Sequence, residues 1–159
     1  MPKTASPQAQ LASFIAKFTP EIASRTNDIL SVMRSRFPTA QELVYDNYNA
    51  LAIGFSPTER STDGIFSIAV YPKWVSLFFL QAKDLTDPNG LLKGSGKVAK
   101  HIVLPSAAAI NSKDVQNLMQ QAIKTAKLAF NPKDEYRLII KSISTKQRPR
   151  RPAQDKPKS

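Results

Sequence analysis

Ile65-Phe66-Ser67-Ile68-Ala69-Val70-Tyr71, Pro72-Lys73, Trp74-Val75-Ser76-Leu77-Phe78-Phe79-Leu80: the reading of this stretch decides the fold. Apolar residues alternate on both sides of a Pro-Lys turn, the pattern of a β-hairpin with one buried face. Pro72 cannot take the positive φ of the tightest hairpin turns, so a four-residue loop over 71–74, built on a type I turn, is expected. That loop sets Val70 opposite Val75, Ile68 opposite Leu77 and Phe66 opposite Phe79, with all six side chains in the core. The other face receives Ile65, Ser67, Ala69, Tyr71, Trp74, Ser76, Phe78 and Leu80. Tyr71, Trp74, Phe78 and Ile65 make it half apolar. Such a surface is either a ligand groove or partner interface, or is covered by another segment such as residues 136–143.

Working outward, a basic loop, Lys93-Gly94-Ser95-Gly96-Lys97, leads into a strand over 100–104. Upstream, residues 43–45 form a short strand, and Asp46-Asn47-Tyr48-Asn49 supplies turn residues. Leu51, Ile53 and Phe55 then alternate with Ala50, Ala52 and Gly54, giving a strand that is large on one side and nearly bare on the other. The bare side leaves room above the backbone, or simply admits a bulky neighbour such as Trp74 or Phe78. Leu11, Phe14, Ile15 and Phe18 make one helical stripe after Ser6-Pro7; Ile22, Ile29, Leu30, Met33 and Phe37 make a second after Thr19-Pro20. A last helix, capped by Asn111 or Ser112, carries a stripe from Val115 to Phe130. Residues 136–143 suit a short strand or a docked segment. The expected fold is an α+β two-layer sandwich: an antiparallel five-strand meander with the N-terminal and C-terminal helices on one face.

The chain of 159 residues suits one domain and needs no covalent staple. With no cysteine and one histidine, disulfides, thiolate chemistry and an ordinary zinc site lose their ligands. Apolar runs are short, and the first residues hold nothing of signal-peptide length, so a soluble cytoplasmic protein with no membrane partner is expected. The net charge of +11 is uneven: residues 131–159 carry nine Lys/Arg against three Asp/Glu. Three parts are expected: an N-terminal helix over 1–18, an α+β domain over 19–145, and a disordered basic tail over 146–159. Lys146, Arg148, Arg150, Arg151, Lys156 and Lys158 in the tail either attract polyanions such as nucleic acid, weakly and without sequence preference, or merely solvate the chain.

Lys93, Gly94, Ser95, Gly96, Lys97, Lys100 and His101 form a candidate anion-accepting rim, because glycines let backbone N–H groups converge and lysines add charge. The plain alternative is a solvated connection with a structural histidine. The loop is not a nucleotide-binding P-loop, since Val98 follows Lys97 where a Ser or Thr would hold magnesium. No serine sits in a nucleophile-elbow motif. The expectation is a non-enzymatic binding module for an anionic small molecule or protein partner, with no catalytic residue, no resident cofactor and no metal.

Leu85-Thr86-Asp87-Pro88, Leu91-Leu92-Lys93-Gly94-Ser95-Gly96-Lys97 and Lys100-His101-Ile102 resemble the YdhG-like family of small bacterial domains. So do Tyr45-Asp46-Asn47-Tyr48 and the hairpin ending Val75-Ser76-Leu77-Phe78-Phe79. The resemblance implies a frataxin-like α+β sandwich over the folded part of the chain. By that analogy alone it offers iron delivery as an alternative function and iron as a ligand. In frataxin-type proteins iron rests on clustered carboxylates; residues 1–37 here offer only Glu21 and Asp28 against Lys3, Lys17, Arg25, Arg34 and Arg36.

Overall fold

The computed structural model describes residues 5–152. Helices α1 (Pro7–Ala16), α2 (Pro20–Arg36) and α3 (Lys113–Thr125) accompany strands β1 (Gln41–Asp46), β2 (Leu51–Ser56), β3 (Phe66–Val70), β4 (Val75–Phe79), β5 (Lys100–Val103) and β6 (Arg137–Ile143). Each helix begins at a hydroxyl cap: Ser6, Thr19 and Ser112 accept from the N–H groups of Ala9, Ile22 and Val115. A cap of this kind is worth about 1 kcal/mol.

The class is α+β, but the sheet is six-stranded and mixed, in the order β5-β4-β3-β2-β1-β6. β1 to β5 follow one another as an antiparallel meander; β6 then lies parallel to β1 at the far edge. The expected five-strand sheet is corrected by this addition. Residues 136–143 therefore do not cover the hairpin's outer face; 137–143 extend the sheet. The edge of β1 would otherwise expose a row of unpaired N–H and C=O groups, and Leu138 and Ile140 carry apolar surface that packs on the core.

The hairpin has the expected pairing: Val70 with Val75, Ile68 with Leu77 and Phe66 with Phe79. The Tyr71 N–H donates to the Trp74 carbonyl, closing the four-residue loop. All six inward residues are fully buried, and Phe78 is only half-buried. Ile65 departs from expectation. Its N–H donates to the Phe55 carbonyl while Phe66 is the register partner of Phe55, so two residues stand against one in a bulge-like step that breaks the alternation, and Ile65 is fully buried in the core cluster. Leu11, Phe14, Ile15 and Phe18 of the N-terminal helix belong to that same core. α3 stops at Thr125, short of the expected stripe, because the Lys127 N–H is taken by the Gln81 side chain; Phe130 then leaves the helix to stack on Phe37.

Candidate functional site

Two charged residues stand on the core side of β1, at alternate positions with Val44. Glu42 is fully buried and accepts from Arg34 Nε and Nη2 at 2.8 and 2.9 Å. The Arg34 pKa is raised, chiefly by that hydrogen bond, against the effect of burial. Beside the pair, burial and the Glu42 charge push the Tyr136 phenol up to about 12. Arg34 and Tyr136 line a cavity of about 460 Å³ between α1, α2 and β6, but the one cation among its described lining residues is already paired with Glu42.

At the other end of β1, Asp46 is also fully buried. Arg150 Nη2 donates to Asp46 Oδ1 at 2.9 Å, and Lys17 Nζ donates to Oδ2 at 3.1 Å. Around this node the chain end is fastened in several ways. The Ser144 N–H and the Gln147 side-chain amide donate to the Asp46 carbonyl, and the Arg148 N–H donates to the Tyr48 carbonyl. Arg151 Nε donates to the Lys17 carbonyl. Through Pro152, then, the segment expected to be a free tail lies along the domain. Arg150, expected to be a free cation, is buried, with its guanidinium donating to the Asp46 carboxylate and to the Asn47 carbonyl. Lys146 and Arg148 are exposed; Lys156 and Lys158 lie outside the described residues.

The opposite face of the sheet is different. Ala52 pairs with Ala69, and Gly54 with Ser67, so small side chains run across β2 and β3. Neither bulky neighbour expected over them lies there. Trp74 stacks on Tyr71 with ring centroids 4.6 Å apart, and Phe78 packs on the His101 ring at 5.0 Å. A cavity of about 610 Å³ results, with Ala52, Ser67 and Ala69 among its floor and Tyr48, Tyr71 and Phe78 at its margins. A second cavity, about 690 Å³, adjoins it through Asn49 and Tyr71, and is bounded by Lys73, Trp74, Arg148 and Pro149. Among the described residues no carboxylate lines either one. The Arg148 guanidinium lies 5.6 Å from the centre of the Tyr48 ring, a cation–π distance.

The candidate rim is brought together only in part. Lys93 pairs with His101 through two backbone hydrogen bonds, 2.8 and 3.0 Å. Gly94 has φ +112°, and a methyl there would meet His101 Nδ1 at 3.5 Å; a Cβ on Gly96 would collide with the Ala99 carbonyl at 2.9 Å. The glycines thus have a structural reason of their own. Lys100 and His101 are successive strand residues and face opposite sides: Lys100 pairs with Phe79 on the core side, His101 with Phe78 on the open side. Lys93, Ser95 and Lys97 are exposed.

Among the described residues no three His, Asp or Glu side chains gather as a metal-binding group, and no helix is long and apolar enough to cross a membrane. No family model, no curated protein and no solved structure matches the chain.

Proposed function

We propose that this chain is a non-enzymatic binding module, YdhG-like and cytoplasmic, whose anionic ligand sits on the open face of the sheet. The observation behind this reading is the pair of adjoining cavities, the second bordered by Lys73 and Arg148, with aromatic rings at their margins and no carboxylate among the described residues of their walls. A negative group there gains charge-assisted hydrogen bonds with no competing acid among the described lining residues, and the rings take an apolar or planar body. Lys93, Lys97 and His101 line neither cavity, and Lys100 pairs with Phe79 on the helix side.

Tripolyphosphate is a suitable first probe. In an NMR titration, the amides of 71–74 and 147–149 are expected to move at millimolar ligand or below. Shifts confined to 93–97 would restore the glycine loop as the site, and no shifts anywhere would end the reading. Calorimetry with ferrous and ferric iron separates it from iron delivery: stoichiometric micromolar binding would reverse the order of the two.

A further inference from the structure

We infer that the open face takes single-stranded nucleic acid, with the sheet supplying stacking and the fastened chain end supplying phosphate contacts. This deepens the reading just given and rests on it. In the sequence the aromatic hairpin and the basic tail are about seventy residues apart, and the tail alone has no ring on which a base can stack. The fold joins them. The Arg148 N–H to Tyr48 carbonyl bond of 2.9 Å holds residues 148–149 beside Lys73 and Trp74, so that cations and rings border one continuous depression.

Three features favour a strand with unpaired bases. The rings are available: Trp74 is 41% exposed and Tyr48 is 47% exposed, each already backed by one partner, Tyr71 or Arg148, which leaves the other face free to stack. The floor of alanine and serine lets a flat body approach the backbone closely. Positive charge stands at the edges, where a sugar-phosphate chain runs when its bases lie on a sheet. A duplex keeps its bases stacked on one another and gains nothing from these rings. An acidic peptide offers charge but no extended π faces.

The test uses the full chain and an eight-nucleotide oligothymidylate. Trp74 is the only tryptophan, so its fluorescence reports this face alone. Quenching with a micromolar Kd at low salt is expected, weakening with a log–log salt slope of roughly −1.5 to −2 for two or three phosphates contacted. By anisotropy of a labelled oligonucleotide, Trp74→Ala and Tyr48→Ala are each expected to lose roughly tenfold in affinity. Lys124→Ala, an exposed cation on α3, is expected to lose less than twofold. Unchanged affinity in both ring variants, tighter binding of duplex DNA, or equal binding of polyglutamate or of polyphosphate matched in charge would each overturn the inference while leaving an anion-binding face intact. Failure of both the oligonucleotide and tripolyphosphate to perturb residues 71–74 would overturn both.

Discussion

The two faces of the central sheet share their backbone and differ in almost everything else. On the helix side, Phe55, Phe66 and Phe79 form one row across three strands, and Ile53, Ile68 and Leu77 form the next, all fully buried. On the other side the same strands present Ala52, Ser67 and Ala69, with Phe78 and Trp74 drawn aside onto ring partners. One face is filled to the density that stabilises a fold; the other keeps space that core-sized side chains would have closed. A pattern of large residues on one side and bare ones on the other therefore carries two messages, one about folding and one about what the surface is left free to do.

The sharpest way to break the contrast is to place a charge on each face in turn. Leu77→Asp buries an unpaired carboxylate among apolar neighbours and is expected to cost at least about 4 kcal/mol, read by chemical denaturation. Phe78→Asp, one residue on, is expected to cost less than half of that. Equal costs would mean that both faces are core.

The next effect concerns the chain end. Asp46→Ala removes the partner of the buried Arg150 guanidinium and is expected to cost about 3–5 kcal/mol. Arg151→Ala, which loses only an exposed bond to the Lys17 carbonyl, is expected to cost less than about 0.5 kcal/mol. In hydrogen exchange, Asp46→Ala should also deprotect the amides of Ser144 and Arg148, whose bonds are made around that node. Unchanged protection would show that the segment holds without its ion pair.

A smaller effect is set by Tyr136. Its folded pKa of about 12 lies above the usual phenol value of about 10, so folding favours the neutral ring. The resulting stability is complete below about pH 10 and is lost as pH rises toward about 12. Denaturation midpoints for the native chain should fall over that window more steeply than those of Tyr136→Phe; parallel curves would show that Tyr136 is not the group responsible.

The hairpin could be read from sequence because branched and aromatic residues alternate without interruption and Pro72 fixes the loop length. Tyr71, Trp74 and Phe78 were legible on its outer side for the same reason. Residues 138–140 signalled a strand but not its partner: a parallel pairing is reached through a long crossover, and nothing local to either strand records it. Asp46 was read as a turn residue because Asn47 and Asn49 follow it, and its role depends on Arg150, more than a hundred residues away. Arg150 itself sits in a segment whose composition predicts disorder. Nor could the meeting of Tyr48 with Arg148 be read, since it follows from that same anchorage. The rim at 93–101 was divided because strand alternation separates Lys100 from His101, a consequence already implicit in placing both on one strand.

The most direct measurement is a methyl NMR titration with the eight-nucleotide oligothymidylate, since methyl groups report one face of the sheet where amides report both. The methyls of Ala52 and Ala69, on the open side, should shift in step with Trp74 quenching, while those of Ile53, Ile68 and Leu77 stay in place. Equal movement on both sides, or still alanine methyls while the amides of 93–97 respond, would contradict an open face built for binding.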